Sequence, residues 1–264
     1  MAGMGIVADD LSPAAISSGL ATHFIGQRII YYSRIPSTME VAKKEARQDA
    51  PEGTVVITDE QTAGKGRMRR VWLSPKGCIA LSVILYPNIA HLSSLIMVAS
   101  LAVVHTIAAV TGLWSRIKWP NDVLINGKKV CGILIESGVR DSSIDYAIVG
   151  IGINANLKTA HFAEVSSPAT SLSDELGRNV SRLELVRRLL VEIERLYLAV
   201  QSGEAVYQEW RDNLETLGRR IHARSGNTVY EGIAESVAKD GSLMLRGSDG
   251  SLTKLTAGDV TLRE

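Results

Sequence analysis

The run Gln61-Thr62-Ala63-Gly64-Lys65-Gly66-Arg67-Met68-Arg69-Arg70-Val71-Trp72 puts four cations on a segment hinged by two glycines. Gly64 and Gly66 let a backbone turn sharply and come close to a ligand. Arg67, Arg69 and Arg70 can each grip a phosphate or carboxylate through two N–H groups, whereas Lys65 offers a compact point charge. A second segment, Lys118-Trp119-Pro120-Asn121-Asp122 and then Gly127-Lys128-Lys129-Val130-Cys131-Gly132, sets Lys118 and Lys129 on either side of a tight turn. Together they suit a site that holds a polyphosphate and a small carboxylate while the two react. Plainer readings stand beside these: a charged loop in water, and a lysine at the rim of a sheet. Gln61 and Trp72 weigh against the first, because a solvated loop needs neither. Against the second, the Asn126-Gly127 turn pairs Leu124 with Lys129 and predicts that Lys129 shares a strand face with Cys131, Ile133 and Ile135. Gly132 beside it leaves room for a ligand. Asn121 and Asp122 supply oxygens that suit Mg2+ or a ribose, and equally suit ordinary turn chemistry after Pro120.

No segment supplies the Gly-x4-Gly-Lys-Ser/Thr of a Walker loop, and the dinucleotide fingerprint needs glycine or alanine where Arg69 stands. Gly150-Ile151-Gly152-Ile153-Asn154-Ala155 matches that fingerprint formally, with Asp174 downstream, but no helix signal follows it and Pro168 comes soon after. Glycines in such a strand mark close approach of the backbone to a neighbour or ligand. The five histidines, His23, His91, His105, His161 and His222, have no Cys or His at zinc spacing. No Gly-x-Ser-x-Gly elbow occurs.

The elements that must position these residues follow from composition and pattern. The chain has 264 residues, enough for one large domain and a small one, with 45% hydrophobic and 22% charged residues. A formal charge of +1 gives no overall field toward nucleic acid or acidic lipid, so neither is an expected partner and the cations at 65–70 are a local device. Cys78 and Cys131 lie in apolar runs and read as buried thiols in a reducing cytoplasm. The apolar stretch around Leu95–Val110, broken by Ser100, His105 and Thr106, reads as a buried helix and not a membrane span. An arm over residues 1–22 carries a short helix capped by Ser12 with Pro13 at its first position. Residues 23–217 alternate strand and helix signals: strands at 28–33, 53–58, 78–86, 116–119, 123–125, 129–136 and 144–153, and helices at 38–49, 92–111, 182–201 and 204–217. Residues 218–264 hold five short strands with close turn signals, which predicts a small β-barrel. The class is α+β.

Read together and in order, Gly64-Lys65-Gly66-Arg67, Arg70-Val71-Trp72, Lys118-Trp119-Pro120-Asn121-Asp122 and Lys129-Val130-Cys131-Gly132-Ile133-Leu134 resemble the biotin–protein ligases. Ser37-Thr38, Gly150-Ile151-Gly152-Ile153-Asn154 and Gly258-Asp259-Val260-Thr261-Leu262-Arg263 fit the same family, over residues 20–264. The resemblance implies a mixed-sheet catalytic domain of the class II synthetase type with an SH3-like C-terminal barrel. It implies a reaction in which biotin and ATP, with Mg2+, give biotinyl-5′-AMP. A lysine of a biotin carboxyl carrier domain then takes the biotinyl group. By the same resemblance Lys129, Arg67 and Asp122 are the catalytic residues. Ser37, Thr38, Gln61, Gly64, Lys65, Gly66, Arg67, Lys129 and Gly132 hold biotin, while Arg67, Arg70, Trp72, Lys118, Asn121 and Asn154 hold ATP. Mg2+ is bound mainly through the triphosphate, and a homodimer is a family expectation. About 27 residues precede the first strand, so no winged helix and no repressor activity are expected.

The rival readings are a lipoate or octanoate ligase, a non-catalytic biotin binder and an NAD-linked oxidoreductase. Lys-Trp-Pro-Asn-Asp and the barrel-like tail favour biotin over lipoate, and the retention of Lys129 and Arg67 favours catalysis. Three positions depart from the family pattern: Lys65 stands where an arginine is usual, Arg69 where a glycine is usual, and Met39 where asparagine commonly follows Ser-Thr. A glycine-poor loop orders and releases differently, so Arg69→Gly is expected to change the rate at which biotinyl-5′-AMP dissociates. Equal dissociation rates for the two proteins would remove the idea.

Overall fold

The computed structural model describes residues 9–140, 143–158, 168–204, 206–225, 228–256 and 258–262; His161 and Arg263, named above, lie outside these. Ser12 accepts a hydrogen bond from the Ala15 N–H and opens α1 (Pro13–Ser17), as its sequence predicts. β1 (Ile29–Tyr32) leads through α2 (Thr38–Ala46) to β2 (Val55–Thr58), which lies parallel to it. β3 (Ile79–Leu85), α3 (Leu95–Thr111), β4 (Arg116–Lys118), β5 (Asp122–Ile125), β6 (Lys128–Arg140) and β7 (Ser143–Ile153) complete a seven-stranded mixed sheet of order β1-β2-β3-β7-β6-β5-β4.

Period-two alternation divides this sheet between two partners. Leu81, Val83, Val149, Ile151 and Ile133 face α3 and the later α5 (Arg182–Gln201) in the larger apolar core. Ile84, Ile148 and Leu134 face the other way, against Met39, Ala42 and Ala46 of α2. With nine residues, α2 leaves part of its face uncovered, and the site lies there. α3 ends at Gly112, whose φ of 73° is the left-handed cap that lets the chain leave the helix. Together with the 3-10 turn Ile89–Ser94 before it, this segment is long and apolar enough to cross a membrane by length and composition, although Ser100, His105 and Thr106 interrupt its apolar run. It packs instead in the core, with Leu101, Ala102 and Val103 fully enclosed.

Helices α2, α4 and α6 differ from the expected reading. α2 stops at Ala46, three residues short of Asp49, which takes a left-handed φ of 55°. α4 (Leu172–Leu176), capped by Ser171, is too short for its periodicity to register. α6 (Val206–Asp212) ends early because the chain beyond it runs beside β4, with Ile117 N donating to Asn213 O at 2.9 Å and Glu215 N to Ile117 O at 2.8 Å.

The C-terminal strands β8 (Arg220–Ser225), β9 (Thr228–Val237), β10 (Leu243–Arg246), β11 (Leu252–Leu255) and β12 (Asp259–Leu262) form an antiparallel sheet of order β11-β10-β9-β8-β12, in keeping with a small SH3-like unit. Its apolar residues Ile221, Ala234, Leu243 and Val260 join the same core cluster as Trp119 and Ile117. Trp119, 1% exposed, fastens the two units: its backbone N–H donates to Thr216 Oγ1 at 2.9 Å and its indole N–H to Gly241 O at 2.8 Å.

Glu194 on α5 anchors the entry to β1. Its carboxylate accepts from the backbone N–H groups of His23 (2.7 Å), Phe24 (2.9 Å) and Ile25 (2.9 Å). Burial works to raise its pKa, but these three donors together with His23 outweigh it and the net shift is downward. A depressed carboxyl pKa contributes stability that is present above the unfolded value and lost as pH falls through the folded one. Glu194→Ala is therefore expected to cost about 2–3 kcal/mol at neutral pH, with the gap to the parent protein closing below the usual carboxylate range. Denaturant melts of both proteins across pH check this.

Candidate active site

A cavity of about 730 Å3 opens on the α2 side of the sheet. Gly132, Gly150 and Gly152 line it from adjoining positions of β6 and β7, where Gly132 pairs with Gly152. They are glycines because other side chains lie on them. A Cβ on Gly152 would fall 2.4 Å from the Trp72 indole nitrogen, and one on Gly150 would fall 2.4 Å from the Met39 sulfur. A Cβ on Gly132 would meet Trp72 at 3.0 Å and the Lys129 ammonium at 3.3 Å.

Lys129 reaches this surface by a route the strand pattern did not predict. Leu124 does pair with Lys129, but Val123 pairs with Cys131, so β6 carries one extra residue at Val130. Such a bulge reverses the alternation beyond it. Cys131 and Ile133 face the large core, whereas Lys129 lines the cavity with Asp122 and Gly132. The expected common face with Cys131, Ile133 and Ile135 is thus corrected. The Lys129 ammonium lies 2.6 Å from Asp122 Oδ1 and 5.3 Å from the centre of the Trp72 ring. The neighbouring Cys131 thiol is pushed up by burial and stays neutral, so it is no nucleophile.

The glycine and arginine loop closes over the other side. Trp72 N donates to Gly64 O at 2.9 Å and Gly66 N to Arg70 O at 2.8 Å, which folds the loop back on itself. Gly64 admits no side chain, since a Cβ would lie 2.3 Å from Trp72 O. Between these ties Met68 and Arg69 take left-handed φ values of 54° and 60°, a conformation costly for side chains other than glycine. Arg67 points inward: its Nη1 donates to Asn121 Oδ1 at 3.0 Å and to Gly258 O, from the C-terminal unit, at 3.1 Å. Asn121 is itself held by Nδ2 donating to Ile133 O at 2.9 Å.

At the far end Gln61 Oε1 accepts from Thr38 N at 2.9 Å and from Thr38 Oγ1 at 3.2 Å, and Ser82 Oγ donates to Thr38 Oγ1 at 2.9 Å. The Gln61 carboxamide is thereby fixed beside the cavity it lines. The cavity thus has a neutral polar end, a glycine floor under an indole, and a cationic end.

Of the residues singled out from the sequence, Thr38, Gln61, Lys65, Gly66, Arg67, Arg70, Trp72, Lys118, Asn121, Asp122, Lys129, Gly132 and Asn154 line this one cavity. Ser37 and Gly64 are not in its lining; Ser37 Oγ is buried without a hydrogen-bond partner, and Gly64 supports the loop from behind. Lys65 is turned toward α2, where its ammonium pairs with Glu40. That pairing is the first cause of a lowered Glu40 pKa. Asn154 spends its amide nitrogen on Thr170 O at 2.9 Å, tying the start of the segment after Pro168 to the end of β7. Met39, Glu40 and Gly258 complete the surroundings without having been picked as site residues. Gly258 contributes through a backbone carbonyl, which leaves no trace in side-chain chemistry.

Comparison with known proteins gives this arrangement its context. The biotin/lipoate A/B protein ligase family profile matches residues 31–154, and the biotin protein ligase C-terminal domain profile matches residues 216–263. A bifunctional ligase/repressor BirA from Bacillus spizizenii is 38% identical over 258 residues, covering 96% of this chain and 79% of that protein. The chain belongs to the biotin protein ligase family. A biotin–[acetyl-CoA-carboxylase] ligase from Paracoccus denitrificans is 36% identical over 74% of this chain and 85% of its own length. The structure of the Aquifex aeolicus biotin protein ligase with biotin and ATP superposes with a TM-score of 0.75 at 26% identity, covering 90% of this chain and 99% of that one. The chain is accordingly an enzyme of the ligase class.

The glycine floor can be tested directly. Gly152→Ala places a methyl where the Trp72 ring lies and forces the indole out, at a cost of about 1–3 kcal/mol in overpacking. The expected result is a red shift of tryptophan emission with easier acrylamide quenching. Unchanged spectra would mean that the ring does not rest on Gly152.

Proposed function

We propose that this biotin protein ligase carries out both half-reactions: it joins biotin to AMP, then passes the biotinyl group to a lysine of a biotin carboxyl carrier domain. The observation that carries the reading is the convergence of Lys129, Arg67 and Asn121 on one cavity whose opposite end is the neutral Thr38–Gln61 pair. A urea ring needs neutral donors and acceptors, and a carboxylate meeting a polyphosphate needs cations. The two ends supply these separately.

In the first half-reaction the biotin carboxylate attacks the α-phosphorus of ATP and pyrophosphate leaves. Both partners are anions, so fixed cations must offset their repulsion and stabilise the charge that shifts onto the phosphoryl oxygens. Lys129 and Arg67 take that role, Lys129 touching biotin carboxylate and phosphate alike. Arg70, Lys118 and Asn121 hold the remaining nucleotide groups, with Trp72 offering a ring face. Among the described residues no three His, Cys, Asp or Glu side chains gather into a metal cage. That donor set suits Mg2+ carried on the triphosphate oxygens, where it would neutralise phosphate charge. In the second half-reaction the incoming lysine attacks the acyl carbon and AMP leaves. Asp122, a carboxylate in the lining, orients that amine or takes its proton. The folded-back loop excludes water from the mixed anhydride meanwhile.

The reading assigns no DNA-binding role to the stretch from Asp9 to β1, which holds one five-residue helix. It places the enzyme in the cytoplasm, where both cysteines stay as buried thiols.

Mass spectrometry of an isolated carrier domain, after incubation with the enzyme, ATP, Mg2+ and biotin, tests the proposal. One biotinyl group on one lysine is expected, with the rate falling by about two to three orders of magnitude for Lys129→Ala. Pyrophosphate release driven by lipoate and not by biotin would replace this reading with that of a lipoate ligase.

A further inference from the structure

Lys65 lines the cavity on the same loop as Arg67, and its side chain, 48% exposed, meets Glu40 at the start of α2. A guanidinium keeps its proton and has no free electron pair to offer, whereas a deprotonated ε-amine is a nucleophile. This chain therefore carries a potential acyl acceptor in the wall of the chamber where an acyl phosphate is made.

We infer that Lys65 is a modification site, acylated by the enzyme's own biotinyl-5′-AMP when no carrier domain is present to receive the group. The inference rests on the ligase reading above. The step is a simple acyl transfer. The Lys65 nitrogen attacks the acyl carbon, a C–N amide bond forms and the C–O bond to the phosphate breaks. AMP leaves with the electron pair, and the proton shed by the amine passes to solvent, to which the side chain is open.

Two other cavity amines compete, and geometry disfavours them. Lys129 and Lys118 extend from strands whose register fixes their direction. Lys129 is further held at 2.6 Å from Asp122 and beside the Trp72 ring. Lys65 sits on a loop outside the main sheet, bridged to Val71 across the turn that holds the left-handed pair Met68 and Arg69. Its four-carbon stem can swing from Glu40 into the chamber without disturbing the sheet. Glu40 restrains the reaction by holding the Lys65 side chain toward α2 and away from the chamber. Acylation of Lys65 would also remove one positive charge from the loop and fill part of the cavity, so the modified enzyme turns over more slowly.

The test uses the whole chain with biotin, ATP and Mg2+ and no carrier, following pyrophosphate release and mapping biotinylated peptides by mass spectrometry over hours. Label is expected to concentrate at Lys65. Lys65→Arg should lose it when label is counted per pyrophosphate released. Glu40→Gln should raise it about two- to fivefold by freeing the amine from a half-exposed ion pair. A parallel sample given preformed biotinyl-5′-AMP without ATP separates the two claims. Label at Lys65 there, with no pyrophosphate in the first sample, would sink the ligase reading and keep the acceptor. Pyrophosphate release with label absent from Lys65, moved to Lys129 or Lys118, or spread evenly over surface lysines would overturn the inference.

Discussion

One extra residue in β6 decides which face of the sheet receives Lys129. If the β5–β6 hairpin kept strict alternation from the Asn126-Gly127 turn, Lys129 would project into the apolar core beside Cys131 and Ile133. An unpaired ammonium there would lose its hydration with nothing to replace it. The bulge at Val130 sends Val130 and Cys131 into that core and turns Lys129 to the opposite face, where Asp122 and the cavity receive it. The same sheet face must then be bare, and Gly132, Gly150 and Gly152 make it so. Bulge and glycines act as one device. The first delivers a cation to a surface where the second lets Trp72 and Met39 lie against the backbone.

The loop and the C-terminal unit depend on that surface from either side. Trp72 rests on the glycines and fixes where the loop ends, so Arg67 is carried back over the cavity. Arg67 meets Asn121 from the catalytic sheet and the Gly258 carbonyl from the C-terminal unit at once. Asn121 follows the cis Trp119-Pro120 bond, and Trp119 is bound to Thr216 and Gly241. The Lys-Trp-Pro-Asn-Asp run is therefore a joint as well as a site: its tryptophan binds the two units and its asparagine meets the arginine between them.

Much of this was legible from residue types, and the illegible remainder has definite causes. The loop and the hairpin declared themselves because glycine, arginine and tryptophan in that order fit neither a solvated loop nor a buried strand. The seven-stranded sheet and the C-terminal strands followed from alternation and turn signals. Alternation fails where a residue is inserted, and nothing in Lys128-Lys129-Val130-Cys131 marks the insertion, so alternation alone puts Lys129 on the wrong face. Lys65 and Glu40 lie 25 residues apart and meet only because α2 packs beside the loop. Gly258 enters the site through its backbone carbonyl, which any residue would supply. The end of α6 was misplaced because edge pairing with β4 overrode helix propensity over 213–215.

The electrostatic design also explains how so ordinary a net charge serves a reaction between anions. The chain as a whole carries +1, yet cavity cations at 65 and 129 are each held by a carboxylate, Glu40 and Asp122. Pairing keeps the ammonium groups in place, and the attraction of each for its carboxylate offsets part of the desolvation that both charges incur. A substrate carboxylate or phosphate entering the cavity then replaces or joins a protein carboxylate instead of meeting an unpaired cation. The cations need no large rearrangement at the moment of reaction, which is where preorganised charge is most effective. The exchange also sets a limit. Lys129 is only partly exposed and its pair lies at 2.6 Å on rigid strands, so an incoming anion shares it with Asp122. Lys65 is half-exposed on a loop, so solvent and salt weaken its pair and the loop end of the site is the softer one. The site therefore carries rigid charge at the hairpin and yielding charge on the loop.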